Sequence, residues 1–342
     1  MDTEKHSYTL EQIPADRRLV EELYSHRKIT SEAREYALNI LYPLNHLGLW
    51  VSRMLLTIGV ALVLSGVIYF FAFNWSKIHP AIKLLSLEVG IIGCVIGACF
   101  YCLQRISGQV FLLCASVLVG VFLAVFGQIY QTGADSYQLF MMWSLLTLGW
   151  MLISNFAVQW IFWLVITNIF LVLWWQQAAL PTQEMASMIF TYMALFNGAV
   201  LLLREYFAVA KAYEWLAARW TRVVLTVATL LIMLSPIYLW LIDANPATKS
   251  TQLSAVIGLV GHGAIYYFYR YKLPDIWSLA ATVLSGCIVI EAAGYELLRE
   301  LHHFHLGTPI YSLLLGFLTL GVFTCAIIFL RRIAKEMGAD NV

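Results

Sequence analysis

Three carboxylates fall in or beside long apolar segments, where an ionised side chain is costly. Glu88 lies in KLLSLEVGIIG, Glu291 lies in CIVIEAAGYELL, and Asp135 ends the polar loop GQIYQTGAD. A charge at the centre of a membrane helix costs about 2.5–3.5 kcal/mol on insertion scales, so such residues mark functional sites by default. Together with Lys83, they predict a cavity that handles a cation, a proton or an amine.

A purely structural interpretation of these residues stays open. In that interpretation Glu88 pairs with the nearby Lys83, and Glu291 extends to the membrane interface as a snorkelling side chain. The two interpretations differ in whether the helices that carry the carboxylates touch one another. The sequence leaves that question undetermined.

The loop GQIYQTGAD, between two apolar segments, carries its own candidates. Gly127 and Gly133 are expected to supply backbone freedom at its ends, and Asp135 is expected to cap the following helix. In the functional interpretation, Gln128, Tyr130 and Asp135 instead face an ion or a substrate.

The segment YELLRELHHFHLGTP contains the weak metal candidates. Glu296, Glu300 and His303 fall roughly on one helical face, with His302 and His305 beside them. Structural zinc prefers four ligands in a fixed geometry, and this short segment lacks a known ligand spacing. Polar residues at the membrane interface are the favoured explanation, so we predict neither a metal nor a cofactor.

Three further polar side chains lie inside apolar segments. His262, between two glycines in GLVGHGAIYYF, is a candidate proton relay, although a hydrogen bond to a neighbouring helix is favoured. Asn168 and Asn197 are expected to join helices by hydrogen bonds.

The composition predicts an all-α, polytopic membrane protein. The chain has 342 residues, of which 61% are hydrophobic and 12% are charged, against roughly 25% charged residues in soluble domains. The net charge of +1 favours no nucleic-acid partner, so the lipid bilayer is the expected partner. The N-terminus lacks the pattern of a cleaved signal peptide, and the first apolar segment is expected to be an uncleaved anchor.

A hydrocarbon core about 30 Å thick requires about 20 apolar residues in a helix, and this length predicts about ten spans. They lie near 54–74, 81–103, 108–127, 138–154, 156–176, 185–203, 223–242, 252–269, 276–294 and 311–330. The fourth and fifth are joined so tightly that a bent or re-entrant pair is an alternative.

The basic residues predict the orientation. With the N-terminus in the cytoplasm, all but four of the 21 lysines and arginines fall on the cytoplasmic side, as the positive-inside rule requires. The exceptions are Lys77, Lys83, Lys249 and Arg299. Both termini are then cytoplasmic, and the three carboxylates lie in the outer half of the membrane.

Three regions are predicted: a cytoplasmic helical hairpin at 1–50, a transmembrane helical domain at 51–335, and a cytoplasmic tail at 336–342. The second helix of the hairpin begins with Thr30 or Ser31 as N-cap and Glu32 in its first turn. The hairpin is the expected docking site for a protein partner. FAVAKAYEWLAARW, at 207–220, predicts an amphipathic helix at the membrane surface.

The loop GQIYQTGAD, the apolar helix with Trp143 that follows it, and the N-terminal pair VEELYSHRKITSEAREYAL together resemble a bacterial family of predicted multi-pass inner-membrane proteins of unknown function. The similarity is clearest over residues 20–180. It implies a location in the bacterial inner membrane, and it brings no catalytic residues.

Enzyme motifs such as a P-loop, GxSxG or HExxH are absent from the sequence. We favour a transporter or flippase with an outward-facing acidic cavity. The first alternative is a non-catalytic scaffold or subunit of an envelope complex that docks through the hairpin. The second is a membrane enzyme for lipid-linked substrates, with the segment from His302 to His305 as its only candidate site.

Overall fold

The structure is a computed structural model that describes residues 17–41, 75–210, 214–242, 248–302 and 308–338, with isolated positions between 48 and 73. Helices account for the regular structure of these residues, as the composition predicts. The chain divides into two compact units, Met1–His79 and Pro80–Val342.

The first unit contains a helical hairpin of α1 (Arg17–Ser25) and α2 (Ser31–Leu41). Thr30 Oγ1 accepts the Ala33 N–H at 3.2 Å, which confirms the predicted N-cap. Arg34 on α2 donates from Nε and Nη2 to the Glu21 carboxylate on α1. The pair fixes the two short helices against each other.

The second unit contains nine helices within the described residues. In chain order they are α3 (Pro80–Tyr101), α4 (Ile106–Tyr130), α5 (Ser136–Ile153), α6 (Ala157–Trp174), α7 (Met188–Val209), α8 (Arg219–Ile242), α9 (Lys249–Tyr267), α10 (Ile276–His302) and α11 (Thr308–Glu336). Single π-helical turns, Trp175–Ala179 and Phe268–Lys272, extend α6 and α9.

Eight of these helices, all except α9, are long and apolar enough to cross a membrane. They correspond to eight predicted spans and mostly extend a few residues beyond them. The tight fourth and fifth spans are two separate helices, because Asn155 adopts a left-handed conformation (φ 46°) that ends one before the other begins.

The two remaining predicted spans have different outcomes. The span at 54–74 lies outside the described residues, apart from isolated helical positions. The span at 252–269 is present as α9, but its buried face carries Ser250, Thr251 and Ser254. Together with Gln252 and His262, these residues lower its mean hydropathy, so α9 is not among the eight.

The helices pack in two ways. The first four pack sequentially, α3 on α4, α4 on α5 and α5 on α6, whereas α7, α9 and α10 all pack on α8. Glycines allow the close approaches: a Cβ on Gly120 would lie 2.2 Å from the Trp143 ring, and one on Gly258 would lie 2.5 Å from the Met233 carbonyl oxygen. The small residues in these segments therefore serve packing within the chain.

Polar side chains join the helices, as is typical of membrane bundles. Asn168 on α6 and Asn197 on α7 exchange hydrogen bonds of 3.2 and 2.7 Å between their side chains, which confirms their predicted role. Thr191 on α7 pairs with Ser254 on α9 at 2.9 Å. Hydroxyl groups therefore lie inside the bundle and apolar side chains face outward, which is the opposite of the arrangement in a soluble helical bundle.

Only residues 131–135 of the predicted loop GQIYQTGAD form an exposed turn, because its first four residues are the end of α4. Gly133 has the predicted positive φ (63°), but Gly127 remains helical, and Gln131 adopts the left-handed conformation instead. Asp135 occupies the N-cap position without a side-chain hydrogen bond. Gln177 supplies the acceptor, because its Oε1 accepts the Tyr137 N–H at 3.1 Å.

The predicted amphipathic helix at 207–220 is wrong. Residues 207–209 complete α7, Glu214–Leu216 form one 3-10 turn, and α8 already includes Arg219. The apolar and charged residues alternate here because two spans end and begin within this segment.

Candidate functional site

The sequence-predicted carboxylates lie on different elements. Glu88 is exposed on α3, Asp135 is exposed before α5, and Glu291 is half-buried on α10. Across the described residues, no hydrogen bond or ion pair connects any two of them. Their convergence on one cavity therefore stays a prediction.

Glu291 has the most specific surroundings of the three. Thr319 on α11 donates to its Oε2 at 3.2 Å. Its Oε1 is buried and accepts no hydrogen bond from the part of the chain that the structure describes. A carboxyl oxygen in that state has capacity for a proton or another donor.

The other sequence-predicted residues are not brought into a common site. Lys83 is half-buried on α3, while Gln128 and Tyr130 are exposed on the last turn of α4. His303 and His305 lie outside the described residues, as does the side chain of His302. Among the residues searched, no group of three or more His, Cys, Asp or Glu is arranged to hold a metal ion.

A cluster of charged side chains is buried where α7 ends and α8 begins. Glu205, 2% exposed, is at its centre. Arg222 on α8 donates to it from Nε to Oε1 and from Nη2 to Oε2, both at 2.9 Å. A bidentate pair of this kind is among the strongest polar contacts in proteins. We call the following set the charge cluster: Arg204, Glu205, Arg219, Arg222, Tyr269 and Asp275.

Arg204, next to Glu205 in sequence, is also 2% exposed. Its Nη1 donates to Glu205 Oε1 at 2.8 Å, its Nε to Thr221 Oγ1 at 3.3 Å, and its Nη2 to Thr221 Oγ1 and the Ala218 carbonyl. A guanidinium has five N–H groups. One N–H on Nη1 is therefore left without an acceptor among the described residues.

Tyr269 extends the cluster to the π-helical turn that follows α9. Its hydroxyl donates to Glu205 Oε1 and accepts from Thr226 Oγ1, both at 3.1 Å. A carboxylate only accepts hydrogen bonds, so the Tyr269 hydroxyl is the donor in its bond to Glu205. The bond connects this turn to α7.

Asp275 joins the cluster to the start of α10. Its Oδ2 accepts the Ser278 N–H at 2.9 Å and thereby caps the helix. Its Oδ1 lies 3.7 Å from Arg219 Nε and 3.6 Å from Arg222 Nη1. Arg219 is the exposed member, with 56% of its side chain accessible, whereas the two guanidinium groups of Arg204 and Arg222 balance the two buried carboxylates.

A cavity of about 310 Å³ lies beside the charge cluster, between α6, α7, α8 and the 3-10 turn. Most of its lining is apolar, and among the described residues Arg204 is the charged one that lines it. Trp160 also lines it, and the indole N–H of Trp160 is buried with no acceptor in the described part of the chain. A second, larger groove between α10 and α11 is lined by apolar and small side chains alone.

The charge cluster was not predicted from the sequence. The predicted span 185–203 stops just before Arg204 and Glu205, and Arg204 was counted only among the basic residues of the cytoplasmic side. The available signal was the density of charge around the connector: Arg204 and Glu205 precede it, and Arg219 and Arg222 follow it within one helical turn. Two spans that meet at such a connector bring these charges together.

His262 forms a bond between helices, which agrees with the favoured interpretation of that residue. Its Nδ1 lies 2.8 Å from the Gly258 carbonyl oxygen and its Nε2 lies 2.7 Å from Ser285 Oγ on α10. Because a carbonyl only accepts, Nδ1 carries the proton and Nε2 accepts from Ser285.

Comparisons with known proteins support the predicted resemblance. Residues 21–160 match the model of a family described as "Predicted membrane protein (DUF2157)". This match confirms the similarity to predicted membrane proteins of unknown function, while the charge cluster lies beyond the matched residues. No curated protein and no solved structure matches the chain.

Proposed function

We propose that this membrane protein is a transporter or flippase of an amphipathic molecule, in which the charge cluster opens and closes one end of the helical domain. The observation that carries the proposal is the burial of Glu205 between Arg204 and Arg222 directly beside an apolar cavity. The cluster joins α7 and α8, which both line the cavity, to the segment between α9 and α10.

The presence of a buried ion-pair network requires a physical explanation. Desolvation makes a buried ion pair no more stabilising than well-packed apolar residues of similar volume. An ion-pair network in a membrane protein is therefore better explained as a contact that forms in one conformation and breaks in another, since the charges regain water when the contact opens.

We propose that this end of the helices lies at the cytoplasmic face of a bacterial inner membrane, the side that the positive-inside rule predicts. Arg219 and Arg222 are followed by Arg270 and Lys272 in the connection between α9 and α10. In this topology the cluster closes the cytoplasmic side. Glu291, in the outer half, is the candidate for coupling to a proton or another cation, because one of its oxygens is buried and accepts no hydrogen bond from the described residues.

Thiol labelling tests whether the cluster opens. Leu225 lines the cavity and is buried. In a chain whose six native cysteines are replaced by serine or alanine, we expect Leu225→Cys to react slowly with a water-soluble maleimide. Adding Glu205→Gln should accelerate that reaction about tenfold or more, because the neutral amide weakens both guanidinium contacts.

Leu112→Cys is the matched control, because Leu112 is equally buried on α4, away from the cluster. Its reaction rate should be the same with and without Glu205→Gln. Equal acceleration at both positions would mean general loss of structure, and no acceleration at Leu225→Cys would mean that the cluster is a fixed structural contact. Either result would contradict the proposed gate.

A further inference from the structure

The cavity beside the charge cluster has an unusual balance of hydrogen-bonding groups. The N–H groups of two lining residues have no acceptor among the described residues: one N–H of Arg204 Nη1 and the indole N–H of Trp160. The other tryptophan of α6 in the lining, Trp163, already donates to the Ser144 carbonyl at 2.9 Å. Thr221 both donates to and accepts from neighbouring groups.

These two N–H groups define the chemistry of a ligand. Buried N–H groups are nearly always paired, and a molecule that satisfies these two must present acceptor oxygens. One of them belongs to the Arg204 guanidinium, which favours a negatively charged acceptor. An acidic group such as a phosphate fits both requirements.

The other residues that line the cavity are mostly apolar, so the same ligand must also have an apolar portion. Leu164, Val200 and Leu225 line the interior of the cavity, and the lining residues Leu152 and Leu203 are exposed on the outer surface of their helices. The cavity is therefore continuous with the surface that faces lipid. Its volume of about 310 Å³ is near the lower end of ligand pockets, which hold about 300–1,000 Å³.

We infer that this cavity binds a phospholipid with an anionic headgroup, with its phosphate held by Arg204 and Trp160 and part of one acyl chain beside Leu164 and Val200. This inference rests on the proposed function, because the bound lipid is the molecule whose movement the charge cluster controls. The lipid enters from the bilayer through the side of the cavity at Leu203.

Photocrosslinking in nanodiscs tests the inference. The probes are phosphatidylglycerol and phosphatidylcholine that carry the same diazirine in the same acyl chain. We expect phosphatidylglycerol to crosslink to peptides of α6 and α7 that line the cavity, with about tenfold preference over phosphatidylcholine. Both lipids carry the phosphate, so the preference arises from the choline cation of phosphatidylcholine, which the Arg204 guanidinium repels.

Two variants locate the site. Val200→Trp fills the cavity and should abolish these crosslinks, whereas Val89→Trp, which adds the same side chain at an exposed position on α3, should leave them unchanged. Trp160→Phe keeps the ring and removes the N–H, so it should lower phosphatidylglycerol crosslinking several-fold. Trp163→Phe, which removes an N–H already used inside the protein, should not.

Equal crosslinking by the two lipids, or crosslinks that survive Val200→Trp, would overturn the inference. Failure of the proposed function gives a different result. If the cluster never opens, Leu225→Cys stays unreactive while the selective crosslinks persist. If the lipid assignment alone is wrong, Leu225→Cys becomes reactive in the Glu205→Gln variant and the selective crosslinks are absent.

Discussion

Replacing Glu205 with glutamine should destabilise the protein by about 3–5 kcal/mol, the usual cost of removing one partner from a buried ion pair. The side chain keeps its shape, but Arg204 and Arg222 lose the carboxylate that compensates both of them. The two guanidinium groups then share a buried site with no central negative charge. A lower midpoint of thermal unfolding in detergent would measure this loss.

The control is Glu336→Gln, which removes a carboxylate from an exposed ion pair. Glu336 on α11 pairs with Arg270 and Arg332, and its side chain is 46% exposed. Exposed pairs contribute less than about 1 kcal/mol, so this variant should unfold close to the temperature of the wild type. If both variants shift the midpoint equally, burial does not determine the contribution of Glu205.

Gly258→Ala should cost about 1–3 kcal/mol, the range for overpacking a tight interior. The added Cβ would lie 2.5 Å from the Met233 carbonyl oxygen on α8. Because that oxygen belongs to a helix backbone, α8 and α9 must move apart, and the Ser285 contact of His262 is disturbed with them. Thermal unfolding in detergent measures the effect.

Gly263→Ala provides a matched comparison on the same helix. A Cβ at Gly263 meets no atom within 4 Å, and alanine favours a helix over glycine by up to about 1 kcal/mol. This variant should be neutral or stabilising. The packing argument for α9 would be wrong if Gly258→Ala were as stable as Gly263→Ala.

The spans were predictable because crossing a bilayer imposes a length of apolar sequence that few other structures share. The π-helical extensions and the exact helix ends depend on contacts distant in sequence. Gln177 illustrates this: it provides the acceptor at the start of α5 that Asp135 was expected to provide. No local pattern identifies a capping group from another helix.

The site was harder to predict than the fold. An ionisable residue in the middle of an apolar segment attracts attention, and Glu88 and Glu291 were chosen for that reason. Arg204 and Glu205 were not recognised as site residues because they follow the apolar segment, where charged side chains are normally solvated. Their burial results from the packing of α7 on α8 and from the position of Tyr269, and both depend on tertiary structure.

The central claim is that the charge cluster separates during function. The most direct test measures the distance between α7 and the turn after α9 by double electron–electron resonance spectroscopy. Spin labels would be attached at Tyr206→Cys and Tyr271→Cys, two exposed positions, in a chain without its native cysteines. The account predicts one main distance in the wild type and an additional, longer distance in the Glu205→Gln variant. One unchanged distance in both proteins would contradict it.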